Sequence, residues 1–243
     1  GSRAIRRFLR TPETVVNTVI FPLLLLLAIF AAFASAVEAF EGDDYAQRLV
    51  PGLVVSGLMF GSVGAAVAFG EDLRSGFMAR LRSMPVRPSS PVVGVLVAEI
   101  ARAVAALLVL GGIGMALGFR FEAGIARALL ILPVAVLAGV AITMIGLALA
   151  TVTSSAEALS GPLGALFLVF MFFSGAMVPV EAYPGWAQAL VRVNPATTFV
   201  TMLDRLARGG DLSWPGLWTV VWSVVLIVGG TFAVARRLRL REV

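Results

Sequence analysis

The sequence predicts an all-α polytopic membrane protein: six transmembrane helices, an N-terminal interfacial helix, a cytoplasmic helix between spans two and three, and an external helical hairpin between spans five and six. Three observations carry that prediction. Of the 243 residues, 59% are hydrophobic and 14% charged, against about a quarter charged in an ordinary soluble domain, and mean hydropathy is +0.97. Apolar stretches able to cross a hydrocarbon core of about 30 Å, which takes roughly 20 helical residues, recur six times. The arginines divide unevenly between the two sides that those stretches define.

The composition also excludes chemistry. The 19 basic residues are all Arg, so a Walker A loop, whose Lys must reach the β- and γ-phosphates, cannot be built from these residues. Zero Lys beside abundant Arg, Ala, Gly and Val fits the codon bias of a GC-rich genome. With no Cys and no His, disulfides, zinc sites, His-based triads and His-ligated haem are all removed. Only carboxylates, hydroxyls and arginines remain for chemistry, and any ATP chemistry must sit on another polypeptide. Nothing points to nucleic acid.

The elements follow in chain order as one 243-residue transmembrane domain. Residues 1–14 read as a basic interfacial helix, with Ile5, Phe8 and Leu9 on one side and arginines on the other. Gly1-Ser2 has the form of a cleaved tag's scar. The first span, 15–37, is longer than the 7 to 15 residues of a signal-peptide core and continues into a polytopic pattern, so it reads as a spanning helix although Ala34-Ser35-Ala36 resembles a cleavage site. The remaining spans run over 49–69, 92–118, 125–150, 161–178 and 215–238. When they alternate, the side holding both termini carries twelve arginines and the other side six, with Arg102 inside the third span; the positive-inside rule then makes both termini cytoplasmic.

Residues 71–90 form the loop between spans two and three. Leu73, Phe77 and Leu81 recur at i, i+4, i+8 and give a short helix an apolar stripe, with Arg74, Arg80 and Arg82 elsewhere on its surface, until Pro85, Pro88 and Pro91 end it. Residues 179–214 form the external connection. Pro184–Val193 and Pro195–Arg208 each read as an amphipathic helix too short to span, with Asn194 as N-cap, Pro195 at N1 and Gly209-Gly210 as the stop. A re-entrant hairpin, or one lying on the outer leaflet with Tyr183 and Trp186 at the interface, satisfies both.

Four constellations invite a functional reading. Gly57-x-x-x-Gly61, continued by Gly64 and Ala65, allows close helix approach, either within the chain or to a second subunit. Glu99 and Arg102 are neighbours on one face of the third span; an intramembrane pair of charges is a functional candidate by default, while its nearness to the cytoplasmic end lets Arg102 snorkel and the two neutralise each other. Phe167, Phe170, Met171, Phe172 and Phe173 surround the fifth span and suit either lipid or an adaptable path for a bulky apolar substrate. Trp214, Trp218 and Trp222 lie near the outer end of the sixth span; an interfacial belt accounts for the first two, and a ligand-stacking role for Trp222 is a minor reading.

The local sequences resemble those of the membrane subunit of ABC-2 type exporters. Arg10-Thr11-Pro12 precedes Phe21-Pro22; Glu71, Gly76, Leu81 and Ser83-Met84-Pro85 occupy the first inner loop; Gly118-Phe119-Arg120-Phe121 follows span three. Ser174-Gly175-Ala176-Met177-Val178-Pro179, then Pro184, Trp186 and Asn194-Pro195, resemble in particular the daunorubicin/doxorubicin-resistance branch. The likeness covers essentially the whole chain.

That resemblance implies a partnership. Residues 71–84 would be the coupling helix docking on a separate ATP-binding subunit, present in two copies and holding ATP and Mg. Glu71, Leu73, Arg74, Gly76, Phe77, Arg80, Leu81 and Arg82 would be its contacts. Asn17, Phe21, Gly57, Gly61, Phe167, Phe170, Phe173 and Ser174 would face a second permease, identical or paralogous, and the path between them. The implied activity is ATP-driven export of an amphiphilic drug-like or lipid-like molecule across a bacterial cytoplasmic membrane. Two competing readings stand beside it: a proton-coupled secondary transporter using Glu99, and a membrane protein that organises lipid or assemblies without transport.

Overall fold

In the computed structural model of the chain, residues 24, 45–75, 90–116, 118–175 and 180–240 are described. The expected interfacial helix 1–14, the first span with Asn17 and Phe21, and Gly76, Phe77, Arg80, Leu81 and Arg82 of the loop lie outside the described residues, Leu24 excepted.

Seven α-helices and one 3-10 turn make up the described architecture: α1 Tyr45–Arg74, α2 Ser90–Ala116, α3 Ile125–Ala150, α4 Ala156–Phe172, the turn Val180–Ala182, α5 Gly185–Val193, α6 Pro195–Arg208 and α7 Ser213–Leu240. No strand occurs among the described residues. Among the described residues, four helices are long and apolar enough to cross a membrane, in segments Leu49–Arg74, Val92–Ala116, Ile125–Ala150 and Ser213–Arg237. The protein is thus a multi-pass membrane protein, all-α among its described residues.

α1 is the axle of the bundle. Two-thirds of its spanning window is buried, against 22% for α2 and for α7, and it packs on α2, α3, α4 and α6. At 1.5 Å per residue its 30 residues make about 45 Å of helix, some 15 Å more than the hydrocarbon core. The helix therefore continues past Phe69, the expected end of the span, through Glu71 and Asp72 to Arg74. The first four residues of the expected loop are the last turn of this long helix. α3 and α7 approach so closely that a Cβ at Gly230 would lie 2.8 Å from the Met144 backbone oxygen.

α4 is the exception in length, with 17 residues where 161–178 was expected to span. It starts five residues earlier, at Ala156, because Ser155 caps it: the Ala158 N–H donates to Ser155 Oγ at 3.0 Å. It stops at Phe172 because its last carbonyls find other donors. Asn194 Nδ2 donates to Phe170 O at 2.9 Å and Phe173 O at 2.6 Å, and Tyr183 Oη donates to Phe172 O and Ser174 O. Backbone that leaves a helix inside an apolar bundle needs such partners, since no water is there to supply them.

The same Asn194 starts α6, its Oδ1 accepting from the Ala196 N–H at 2.8 Å, with Pro195 at the first helical position. α6 does not lie on the surface. It packs against α1, α3 and α7, and Phe199, Val200, Leu203 and Leu206 are buried. It ends at Gly209 and Gly210, both with positive φ, which an L side chain adopts only with strain. Trp222 Nε1 donates to Val193 O at 2.7 Å, tying α5 to α7, so this indole is an internal strut.

Asn194→Ala removes a cap and leaves the part-buried Phe170 and Phe173 carbonyls without their side-chain donor. The cap alone is worth about 1 kcal/mol and each orphaned group about 1–3 kcal/mol, so the detergent-solubilised protein should melt well below the wild type. Asn194→Asp keeps the acceptor for Ala196 and loses only the donors, and should fall between the two in the same thermal assay.

Candidate functional site

The polar centre of the bundle is built from α2 and α3. Glu99 Oε2 lies 2.6 Å from Arg102 Nη1, one turn along α2, and accepts a hydrogen bond of 2.8 Å from Thr143 Oγ1 of α3. Glu99 is 0% and Arg102 3% exposed. Arg102 therefore does not snorkel, contrary to the expectation from its position near the end of the span: its guanidinium turns inward to the carboxylate. Gly139 makes the room. A Cβ there would lie 2.9 Å from Glu99 Oε1 and 3.3 Å from Leu58 Cδ2, so the pair occupies the seam where α1, α2 and α3 meet.

The pair is only partly satisfied. Glu99 Oε1 and Arg102 Nε find no hydrogen-bond partner among the described residues, and the Nη1–Oε2 contact is an ion pair rather than an aligned hydrogen bond. Taking both charges out of water is costly, and their attraction in a low-dielectric interior offsets that cost only while both are present. Thr143 is a site residue that sequence reading overlooked. Its signal was available: it is the one hydroxyl in the apolar run Ile125–Ala150.

The expected path residues do not form one surface. Leu159, Leu163, Phe167 and Met171 are the buried residues of α4, a strict i+4 stripe facing inward with α1 as its main neighbour. Phe167, fully buried, is core. Ser174 is buried too and donates to Met171 O. Phe170 is half-buried against the core, whereas Phe172 and Phe173 are 64% and 42% exposed. Of the small-residue motif of α1, Gly57 and Gly61 are thus packed inside the chain, while Gly64 is on its surface.

At the Arg74 end, the described part of the predicted docking stripe departs from expectation. Leu73 is buried in the core cluster, because α1 runs on as a packed helix to this point. It is not an outward contact. Arg74 is half-buried and folds back over Gly70; only Glu71 of this turn is exposed. At the opposite end, a cleft of about 760 Å³ with a mixed lining opens between α5, α6 and the start of α7, beside Ala189, Arg192, Val193, Thr201, Arg205 and Trp214.

The described helices thus form a multi-pass bundle with a buried polar pair and an amphipathic hairpin between α4 and α7. The chain belongs to the ABC-2 type transporter family, whose match covers residues 1–205. It is 26% identical over 227 residues to the probable doxorubicin resistance ABC transporter permease protein DrrC of Mycobacterium tuberculosis, covering 93% of this chain and 82% of that protein. It is 29% identical over 239 residues to the daunorubicin resistance ABC transporter permease protein DrrB1 of Streptomyces coeruleorubidus, covering 98% and 82%. With the doxorubicin resistance ABC transporter permease protein DrrB of M. tuberculosis it shares 25% over 244 residues, covering 92% and 83%.

Breaking the buried pair from one side should be severe. Glu99→Gln or Arg102→Met leaves one buried charge uncompensated, a loss of about 3–5 kcal/mol, while Glu99→Leu/Arg102→Met removes both and should lose much less. Thermal unfolding of the purified protein, followed by fluorescence-detected size exclusion, orders the three variants.

Proposed function

We propose that the chain is the membrane-spanning permease subunit of an ATP-driven exporter, which moves an amphiphilic drug-like or lipid-like molecule out across a bacterial cytoplasmic membrane. The observation that carries this reading is the family match over residues 1–205, joined by relatives that are drug-resistance permeases along most of their length. The 243 residues contain no Lys and hence no Walker A loop, so ATP and Mg belong on a separate ATP-binding subunit, in two copies. The arginine count favours cytoplasmic termini, which puts the Arg74 end of the bundle inside and the α5–α6 hairpin outside.

The interior of this chain is filled. Leu58, Met59, Ile142 and Leu147 are at most 2% exposed around the bundle axis, so a bulky molecule passes along a face of the chain rather than through it. A second permease, identical or paralogous, completes that route. The exposed Phe172 and Phe173 at the end of α4, with half-buried Phe170 beside them, are the aromatic edge we assign to it. ATP binding would draw two ATP-binding subunits together, and a permease that contacts them differently in its two states shifts with them. Residues 75–84, the part of the expected 71–84 segment that lies beyond α1, are the coupling segment in this reading, with Gly76 just before its apolar contacts Phe77 and Leu81, and Arg80 and Arg82 as rim charges.

Co-expression with the ATP-binding subunit of the same gene neighbourhood tests the assignment. Phe77→Asp/Leu81→Asp should leave the permease folded and inserted while co-purified ATPase falls to about a tenth or less, the loss expected when central apolar contacts of an interface are removed. Leu73→Asp should instead lower the yield of folded permease, because it puts a charge in the core. Equal ATPase recovery with and without Phe77 and Leu81 overturns the assignment.

A further inference from the structure

The cleft of about 760 Å³ between α5, α6 and the start of α7 holds more hydrogen-bond donors than acceptors. Arg192, in the last turn of α5, is exposed and makes no ion pair or hydrogen bond among the described residues. Arg205, in the last turn of α6, donates through Nη1 to the Asp211 carbonyl at 2.6 Å and makes no further hydrogen bond among them. The Asp211 carboxylate is turned to Ser213 instead, accepting from its N–H at 3.0 Å and its Oγ at 2.6 Å. Neighbouring Arg208, by contrast, is held by both oxygens of Asp204. In the cleft wall Thr197 is 5% exposed; its Oγ1 accepts from the Gly175 N–H at 3.0 Å, while its own O–H, like that of Thr201, donates to no described residue. Glu181 is the one carboxylate of the lining, so two guanidiniums against one carboxylate leave a net charge of +1. Such a cleft suits an acceptor-only anion, a phosphate or carboxylate, which guanidinium groups grip in two-pronged fashion.

The lip of the cleft selects between them. Trp214 lines it and also heads a stripe down the outside of α7, where Trp214, Leu217, Val221, Val224 and Val228 recur at i+3 and i+4 spacing and are 38% to 61% exposed. On α5, Trp186 and Leu190 are 71% and 60% exposed. An anion held at the head of a long apolar stripe, with indoles at the level where Trp gathers between headgroups and hydrocarbon, matches a phospholipid: phosphodiester in the cleft, acyl chains along the helix. The charge fits as well, since one phosphodiester neutralises the surplus cation. A small free anion would leave the stripe unused.

We propose that this cleft binds the headgroup of an anionic phospholipid, with Arg192 and Arg205 on the phosphodiester, Thr197 and Thr201 donating to its oxygens, and the acyl chains lying on the α7 stripe. In the orientation proposed above the lipid belongs to the outer leaflet. Only that choice of leaflet rests on the exporter reading; the chemistry of the cleft is the same at either face.

Native mass spectrometry of the delipidated full chain in detergent, titrated with phosphatidylglycerol, needs neither ATP nor a partner. A basic residue beside an anionic lipid is worth about fivefold in affinity, so Arg192→Gln should weaken binding about fivefold and Arg192→Gln/Arg205→Gln about 25-fold, while Arg192→Lys stays near the wild type. Because Arg192 makes no polar contact within the described chain, its variants keep the fold even if the double variant does not. Phosphatidylcholine, whose added cation faces two guanidiniums, should bind more weakly than phosphatidylglycerol. Excess inorganic phosphate should fail to displace the lipid, and Trp214→Ala should weaken lipid binding.

A wild type that binds phosphatidylglycerol no better than phosphatidylcholine, or no better than Arg192→Gln does, overturns the proposal. Displacement by inorganic phosphate, with no loss in Trp214→Ala, overturns it by making this a site for a free anion. A second copy of the chain on the stripe overturns it too: the sequence has no cysteine, and Leu217→Cys or Val224→Cys would then form disulfide dimers rapidly in native membranes. None of these results touches the exporter reading. Ala189→Cys, exposed in the cleft, reports the leaflet. A membrane-impermeant maleimide should label it in intact cells; labelling only in inverted vesicles would overturn the orientation and leave the lipid site in place.

Discussion

Asn194 holds together the part of the molecule that departs from simple membrane-spanning helices. A chain inside an apolar bundle must satisfy every backbone donor and acceptor internally, and here one side chain does so for two helix ends, donating to the Phe170 and Phe173 carbonyls and accepting from the Ala196 N–H. Because α4 can stop at 17 residues, the chain has length left to turn and send α6 back among α1, α3 and α7. Tyr183 extends the arrangement to Phe172 and Ser174, and Thr197 Oγ1 accepts from the Gly175 N–H. The hairpin packs into the bundle through the apolar face of α6, with Phe199, Val200, Leu203 and Leu206 buried, and these bonds satisfy the backbone where the chain turns.

Charge obeys the same rule at the centre of the bundle. Glu99 and Arg102 are enclosed where α1, α2 and α3 meet, and the absence of a side chain at Gly139 lets the carboxylate approach α3 closely. The hydroxyl of Thr143 fixes α2 against α3 at that level. A carboxylate held this way is engaged on one oxygen by a cation and a hydroxyl, which suits a structural link between helices better than a freely exchanging proton site.

Much of this was legible in the residues, and what was not has physical reasons. Asn194-Pro195 and Gly209-Gly210 read directly as the start and stop of α6, because caps and positive φ are local properties. The second role of Asn194, at the end of α4, is a contact across 21 to 24 residues and has no local signature. The Phe-rich α4 is apolar all round, so periodicity assigned it no face; packing on α1 chose the 159, 163, 167, 171 stripe. Leu73 and Arg74 were misread for a related reason. The i, i+4, i+8 pattern in the loop looked like a separate amphipathic helix, whereas its first residue is the last buried layer of α1. Periodicity finds an apolar stripe but not whether the chain's own core or a partner covers it.

Taken together, a filled interior, a long axle helix that reaches beyond the hydrocarbon core, and ABC-2 family membership describe a lever more than a pore. In this account the work comes from a separate ATPase, enters at the Arg74 end and leaves as a movement of helix against helix along a surface route. The most direct measurement is doxorubicin uptake by inverted vesicles, comparing ATP with an imposed proton gradient as the energy source. The account predicts uptake that requires ATP and the ATP-binding subunit and survives a protonophore; uptake that proceeds without that subunit, collapses with the protonophore and vanishes in folded Glu99→Gln would contradict it.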